Sequence, residues 1–295
     1  MLNIHYLRFM KNNQIITNFP VFNYQHFQNI FNKYYPNIST PDKNFLQWFI
    51  GFSEGNLCFN NNSNKFVIKH KNIQVLHYIQ NKIGLGKVIK TKYNNYYTLQ
   101  NSNDKIILAN LFNNNLVLPT SIQQFKLWIK NNSIHIQFPN NTIINKPSNL
   151  WISGFIDSNA KFHYKLTSNK SYRFLVIFKL KDTKNIPILN LLKNMFGGQV
   201  KAYPMKHVYQ LQIQGLFNMD KIIEFINDYQ LIANKKSYNT WKHLNHKAKI
   251  ISNSGNKDNG LNNIRQVYLF YLYCIINEYN HIQYRDDHFI IIIKT

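Results

Sequence analysis

The residues best suited to chemistry lie in a short phrase that occurs twice in the chain, at residues 48–56 and 151–159. Each copy contains one carboxylate, Glu54 or Asp157, and each ends in a neutral amide, Asn56 or Asn159. Charged oxygen atoms are the ligands that Mg²⁺ prefers, and metal-assisted phosphodiester cleavage depends on that charge. The chemical question is whether these side chains form a metal site or only hydrogen bonds.

Small residues with helical spacing accompany the polar residues in both copies. Gly51 and Gly55 lie four residues apart in the first copy, and Gly154 and Ser158 do so in the second. Small residues at this spacing share one face of a helix and allow a second helix to approach closely. The two phrases are therefore predicted to form a pair of packed helices, with these four residues at a domain interface.

The two phrases, Trp48–Asn56 and Trp151–Asn159, resemble the signature of the LAGLIDADG homing endonucleases and intron maturases. In that family, two signature helices pack side by side between two αββαββα domains. The resemblance implies an α+β fold in which two pseudo-symmetric domains of one chain form a saddle. It also implies that the residue at the foot of each signature helix is an acid that binds a divalent metal.

In this chain both of those metal-ligand positions are amides, Asn56 and Asn159. Because the two replacements remove two formal negative charges, we expect no metal, no catalytic residue and no cofactor at this site. The next position, usually Gly in the family, is Leu57 in one copy and Ala160 in the other. The resemblance therefore indicates a signature that has lost its catalytic function.

Glu54 and Asp157 remain, two positions before the amides. A shift of two positions turns a helical side chain by ~200°, so we interpret both acids as structural hydrogen-bonding groups. A metal site rebuilt on them stays open as the alternative. The lysine that the family often has near its active site corresponds to Lys235 or Lys236, but the matching segment of the first half has none.

Charge is the strongest feature of the composition. The chain has 35 Lys and Arg against 12 Asp and Glu, a net charge of +23. A field of this size attracts a polyanion, so nucleic acid is the expected partner. The longest apolar run, Val267–Ile276, is far shorter than the ~20 residues of a membrane-spanning helix, so no membrane partner is expected.

Other compositional features concern location. Cys58 and Cys274 lie in apolar company and are predicted to be buried hydrophobic residues. Asn, Lys, Ile, Tyr and Phe are abundant, and all have codons rich in A and T. This composition favours an organelle-encoded protein, which we expect in the mitochondrial matrix.

Periodicity predicts the elements of each half. In the first half, alternation over residues 65–71 predicts a strand, followed by a helix over 73–83. A hairpin of residues 87–93 and 96–100 is predicted around Asn94-Asn95, followed by a helix over 103–113. In the second half, residues 162–166, 172–179 and 209–214 alternate in the same way, and Tyr97–Gln100 is matched with Tyr209–Gln212.

These patterns divide the chain into five parts. They are an N-terminal extension (1–43), a first domain (44–137), a linker (138–147), a second domain (148–250), and a C-terminal helix and tail (251–295). The extension and the tail have no counterpart in a two-domain fold of this family. We therefore expect both to become ordered on RNA or on a neighbouring protein.

One face of each predicted sheet is apolar and the other carries cations and amides. Such an outer face can follow a phosphate backbone, and its glutamines can reach base edges. The candidate nucleic-acid-binding residues are Lys65, Lys69, Lys87, Lys161, Lys165, Arg173, Lys179, Gln210, Gln212, Gln214, Lys235 and Lys236. The face alone does not distinguish RNA from DNA.

The combined prediction is a monomeric LAGLIDADG-derived protein that binds nucleic acid without cleaving it. Structured organellar RNA is the preferred partner, because a nuclease without chemistry gains nothing from a DNA target. Two roles remain open: a scaffold subunit of a ribonucleoprotein such as the mitochondrial ribosome, and a group I intron maturase. The alternative is an active Mg²⁺-dependent homing endonuclease that cleaves double-stranded DNA.

Overall fold

The structure is a computed structural model that describes residues 22, 24–56, 58–60, 64–138, 147–166, 174–182, 185–203 and 208–253. It contains two halves with the same order of elements. The first comprises α1 (Tyr24–Tyr34), α2 (Lys43–Gly55), β1 (Phe59–Asn60), β2 (Lys65–His70), α3 (Ile73–Ile83), β3 (Lys87–Lys90), β4 (Asn95–Thr98), α4 (Ser102–Phe112) and α5 (Pro119–Asn131).

The second half lacks only a counterpart of α1 among the described residues. It comprises α6 (Asn149–Asn159), β5 (Ala160–Leu166), β6 (Phe174–Asp182), α7 (Ile186–Phe196), β7 (Gln199–Tyr203), β8 (Val208–Gln214), a 3₁₀ turn (Phe217–Met219), α8 (Asp220–Asp228) and α9 (Lys235–Asn253). The predicted α+β class with two related domains is confirmed.

Each half contains a four-stranded antiparallel sheet, with the strand orders β1-β2-β4-β3 and β5-β6-β8-β7. Alternation places one face of each sheet in the core. Phe66 and Ile68 of β2 are fully buried, whereas Lys65 and Lys69 on either side of them are exposed. Helices contact the buried faces, including α3 on the first sheet and α7 on the second.

Helix α2 begins at a conventional cap, and its partner α6 does the same. The Asp42 carboxylate accepts a hydrogen bond from the Phe45 amide at 2.9 Å, and the Ser148 hydroxyl accepts one from the Trp151 amide at 3.1 Å. These side chains satisfy amides that a helix leaves unpaired at its start. Both phrases are therefore helical from defined first residues, as the sequence predicts.

The segment before residue 44 is not an unpartnered extension where the structure describes it. In α1, Phe27 and Phe31 are fully buried, and the helix packs against α4. The Tyr35 hydroxyl donates to the Asp104 carboxylate at 2.6 Å. The expectation that residues 1–43 need an external partner is wrong for 24–35, because the two phenylalanines complete the first core.

Two details of the hairpins also differ from the predictions. In the first, Lys90 pairs with Asn95, so the turn is Thr91–Asn94 and not Asn94-Asn95. In the sheets, Thr98 lies opposite the first residue of β3, and Gln212 lies opposite the first residue of β7. Thr98 is therefore equivalent to Gln212, whereas the predicted match pairs it with Gln210. Because the shift is two residues, each side chain stays on its expected face of the sheet.

Several predictions fall outside the described residues. These are most of the linker, Arg173, Cys274 and nearly all of the segment 251–295. Cys58 is buried and unpaired, as predicted. No helix in the described part of the chain is long and apolar enough to cross a membrane.

Candidate nucleic-acid interface and the signature helices

The two signature helices, α2 and α6, approach so closely that only glycine fits at their crossing. A Cβ atom built on Gly51 lies 2.0 Å from the carbonyl oxygen of Trp151. A Cβ atom on Gly154 lies 2.0 Å from the carbonyl oxygen of Trp48. Both obstacles are backbone atoms, so the interface uses Gly51 and Gly154 in a pseudo-symmetric pair.

A second small pair lies one turn further along. A Cβ atom built on Gly55 lies 1.8 Å from Ser158 Oγ and 2.8 Å from its Cβ. The Ser158 hydroxyl donates to the Phe155 carbonyl at 2.7 Å within its own helix. The structure therefore brings together the four small residues that the sequence assigns to the domain interface.

Asn56 and Asn159 lie at the feet of these helices, and both act as hydrogen-bond donors. Asn56 Nδ2 donates to the Phe52 carbonyl at 2.8 Å in the same helix. Asn159 Nδ2 donates across the interface to the Gly55 carbonyl. An ionised carboxylate has no hydrogen to donate, so each amide makes a contact that an aspartate at the same position cannot make.

Glu54 is a fully buried connector. Its carboxylate accepts hydrogen bonds from the amide of Val117 at 3.0 Å and from the amide of Leu118 at 2.8 Å, just before α5. It also accepts from Trp151 Nε1 of the other signature helix at 2.7 Å. Burial raises the pKa of Glu54 from 4.5 to about 7, although the hydrogen bonds oppose this shift.

Asp157 has the corresponding role in the second half. It accepts hydrogen bonds from three successive amides before α9, those of Ile232 at 2.5 Å, Ala233 at 2.8 Å and Asn234 at 2.7 Å. Burial raises its pKa, and these bonds oppose the shift. Both carboxylates therefore hold a helix start against a signature helix, which is the structural role that the sequence predicts.

The residues at the helix feet do not fit the metal that the signature implies. The two ligand positions hold neutral amides whose Nδ2 groups are bound to backbone carbonyls. The nearby carboxylates already accept amide hydrogens in the protein interior. Within the described residues, no three His, Cys, Asp or Glu side chains are grouped to hold a metal ion.

The outer face of the second sheet is cationic. Lys161 of β5 lies directly opposite Lys179 of β6, and that row continues to Gln212 and Gln199. Lys161 is exposed and Lys179 is partly exposed. The structure therefore brings these predicted binding residues together, and it adds Lys201 and Gln199, which the sequence analysis did not select.

Gln212 is a correction to the predicted set. Only 8% of its surface is exposed, because it lies in a central strand with neighbours on both sides. It is therefore less able to reach a base edge than Gln210, which is partly exposed, or Gln214, which is exposed. Its equivalent in the first sheet, Thr98, is buried in the same way.

The lysines also affect His163, an exposed residue on β5. Partial burial lowers its pKa below 6.5, and the charges of Lys179 and Lys161 lower it further. The imidazole is therefore neutral at pH 7 in the free protein. A phosphate brought to this face would offset the lysine charges and favour the imidazolium form.

The first sheet has a different outer face. Lys65, Lys69 and Lys87 are exposed as predicted, but Tyr96 and Ile89 lie on the same face. These two residues are not among the predicted binding residues, because their shared face depends on the register of β3 with β4. Alternation within β4 provided a signal, since the fully buried Tyr97 places Tyr96 on the opposite side.

The remaining predicted residues lie at the ends of elements. Lys235 and Lys236 form the exposed first turn of α9, directly after the amides that Asp157 binds. Lys165 belongs to β5.

Residues 152–245 match the family model described as LAGLIDADG endonuclease. The second half of the chain therefore matches the LAGLIDADG endonuclease family. The matched region runs from signature helix α6 into α9, and it contains both Asp157 and Asn159. The first half carries the same order of elements around α2.

Two sequence relatives each cover about two thirds of this chain. The chain is 26% identical over 215 residues to "Probable intron-encoded endonuclease 4" of Neurospora crassa, over 67% of this chain and 39% of that protein. It is 27% identical over 214 residues to "Uncharacterized cox1 intron-2 37.2 kDa protein" of Schizosaccharomyces pombe, over 68% of this chain and 65% of that protein. The match thus spans less than two thirds of either relative.

Solved LAGLIDADG structures share the fold. One is the homing endonuclease I-GzeII in complex with its DNA target, with a TM-score of 0.56 and 19% identity over 69% of this chain and 86% of that one. Another is I-SmaMI bound to uncleaved DNA with calcium ions, with a TM-score of 0.56 and 16% identity over 75% and 97%.

Proposed function

We propose that this protein binds nucleic acid through its sheets and does not cleave it. The observation that supports this proposal is the pair of amides at the feet of the signature helices. Asn56 and Asn159 donate hydrogen bonds to backbone carbonyls, where phosphodiester cleavage needs charged metal ligands. Glu54 and Asp157 do not replace them, because amide donors surround both carboxylates in the interior.

The cationic outer faces support the binding part of the proposal. Lys161 and Lys179 lie side by side, and Lys201 lies on the neighbouring hairpin with its side chain exposed. Adjacent like charges repel each other, so such a row is stabilised when an anion covers it. A phosphate backbone is the anion that matches a row of several cations.

We propose intron RNA as the partner, with the protein acting as a maturase-like cofactor in mitochondria. Both sequence relatives have the word intron in their names. These names favour an intron transcript as the partner. Ribosomal RNA is supported mainly by the net charge of +23, which fits any RNA. The competing function is DNA cleavage, which the word endonuclease in one relative's name favours.

If the coding sequence lies within an intron, as the names of both relatives suggest for those proteins, binding can be tested with the RNA of that intron. The purified protein is titrated with that RNA, and separately with the duplex DNA of the intron-less junction, over a range of salt concentrations. We expect tighter binding to the RNA and a linear fall of log affinity with log salt. Equal or tighter binding to the junction DNA would contradict the choice of RNA.

A matched pair of triple variants tests the sheet face. Lys161, Lys179 and Lys201 are replaced by Gln in one variant, and Lys193, Lys221 and Lys247 on the helices in the other. Both lose the same charge. Because each lysine on a phosphate contributes roughly one unit to the salt slope, the first variant should reduce the slope by about 3 and the second should leave it close to the wild-type value.

A further inference from the structure

The outer face of the first sheet carries a row of residues unlike its equivalent in the second sheet. Lys69 of β2, Tyr96 of β4 and Ile89 of β3 are directly opposite one another across the three strands. Residues paired in this way have Cβ atoms about 5 Å apart. The row therefore forms one continuous patch in which an aromatic ring lies between a cation and an aliphatic side chain.

The corresponding row of the second sheet is entirely polar. Since Thr98 corresponds to Gln212, Tyr96 corresponds to Gln210, and its neighbours are Lys181 and Lys201. The equivalent register positions are thus occupied by Lys, Tyr and Ile in one half and by Lys, Gln and Lys in the other. The two halves have retained one fold but expose different chemistry on it.

Tyr96 is partly exposed, and a second, more exposed aromatic residue lies at the tip of the same hairpin. Tyr93 is 79% exposed, and Lys92 Nζ lies 5.5 Å from the centre of its ring. The turn is closed without the Tyr93 side chain, because Thr91 and Asn94 form hydrogen bonds of 2.6, 2.9 and 3.1 Å with each other. Packing and turn geometry therefore do not account for this tyrosine.

Charge indicates what covers the patch. The hairpin contains Lys87, Lys90 and Lys92, and residues 87–100 contain no acid. Ile89 is 37% exposed beside these cations. A protein partner with an apolar surface would have to bury several unpaired lysines, at a high desolvation cost. A nucleotide offers both a flat apolar base and a phosphate, so it matches the ring and the cations together.

We propose that the first sheet is a stacking platform for unpaired bases, and that Tyr96 and Tyr93 are its base-binding residues. The inference rests on the proposed function and specifies the kind of RNA that it requires. Aromatic side chains stack on bases that are not paired, whereas the bases of a duplex are already stacked on each other. The RNA site would then contain a single-stranded segment on the first sheet, beside the cationic second sheet.

The test compares two RNA probes on the full-length protein. One probe is a short single-stranded oligouridine, and the other is a fully paired RNA duplex of the same length. The variant Tyr93→Leu/Tyr96→Leu removes both rings, and Tyr93→Phe/Tyr96→Phe keeps them. Phe217→Leu is the matched control, because Phe217 is an exposed ring outside both sheets with Lys249 Nζ 5.3 Å from its centre. Each melting curve is recorded first, and unchanged curves show that the variants are folded.

We expect the Leu variant to bind oligouridine about 5-fold more weakly or worse if one ring stacks, and about 30-fold more weakly or worse if both do. Its affinity for the duplex should change by less than about 2-fold, within the context-dependent spread of such contacts. The Phe variant should keep the wild-type ratio of the two affinities, and so should Phe217→Leu.

Two results would overturn the platform. One is an unchanged affinity of the Leu variant for oligouridine, and the other is an equal loss for both probes. Failure of the proposed function has a different signature. In that case the wild-type protein binds neither RNA in a salt-dependent way, while it binds junction DNA.

Discussion

The close packing of the signature helices can be tested with two glycine substitutions, one of which serves as the control for the other. Gly51→Ala places a methyl group 2.0 Å from the Trp151 carbonyl oxygen and 2.8 Å from its carbonyl carbon. Both atoms belong to the backbone of α6, so no rotamer change relieves the clash. The two helices must separate by more than about 1 Å, a movement that close-packed interiors resist.

The magnitude follows from what that movement disrupts. Overpacking in a core typically costs about 1–3 kcal/mol, and separation also weakens the bond between Glu54 and Trp151 Nε1. We therefore expect Gly51→Ala to lower the free energy of unfolding by about 3 kcal/mol or more. This is a large part of the total, since domains are stable by about 5–15 kcal/mol.

Gly55→Ala is the control, because its obstacle is a side chain. Its new methyl group meets Ser158 Oγ and Cβ, and Ser158→Gly removes both atoms and leaves Asn159 Nδ2 at 3.2 Å. In the Ser158→Gly background, Gly55→Ala should therefore be neutral or stabilising, since Ala is preferred to Gly in helices by about 1 kcal/mol. In the wild-type background it should be destabilising by about 1–3 kcal/mol.

Urea unfolding, followed by tryptophan fluorescence, measures the stability of the wild type, Gly55→Ala, Ser158→Gly, the double variant of these two, and Gly51→Ala. The slope of the transition should stay constant, so that the midpoints report stability. If Gly51→Ala changes the free energy of unfolding by less than about 1 kcal/mol, or if Ser158→Gly fails to rescue Gly55→Ala, the close approach of the helices is not as described.

Three further predictions concern charge. Without divalent ions, the double variant Asn56→Asp/Asn159→Asp should melt at a lower temperature than the wild type, because each aspartate faces a carbonyl oxygen. Mg²⁺ should raise the melting temperature of this variant but not that of the wild type. The free energy of unfolding of the wild type, measured relative to that of Glu54→Gln, should fall on the order of 3 kcal/mol between pH 4.5 and about 7. The reason is that a carboxyl group with a raised pKa favours the folded state only while it is protonated. A difference in unfolding free energy that does not change with pH would refute this prediction. RNA binding should tighten as pH falls below 6.5, because phosphate favours protonation of His163, and His163→Gln should abolish that dependence in titrations at each pH.

The features that the sequence could predict are local or repeated. The signature helices, the helix over 73–83 and the strand over 65–70 all follow from periodicity within a few residues. The functional assignment of Asn56 and Asn159 depends only on their place in the phrase. The predicted helices and strand are confirmed because neighbouring residues determine the backbone conformation and the exposed face.

The features that it could not predict depend on distant partners. Helix α1 lies in a polar, Asn-rich stretch, and Phe27 and Phe31 indicate a core only once α4 is beside them. The partners of Glu54 lie more than 60 residues away, at Val117 and Leu118. Likewise, the row that contains Tyr96 exists only through the register of three strands, so no single segment reveals it.

The central claim, binding without cleavage, is tested most directly by sequencing the nucleic acid that the native protein carries. The protein is purified from its organelle after crosslinking, and the bound fragments are recovered and their ends mapped. We predict RNA from an intron-containing transcript, with no shared cut position. Recovery of double-stranded DNA whose fragments end at one common site would contradict the account and identify an active endonuclease.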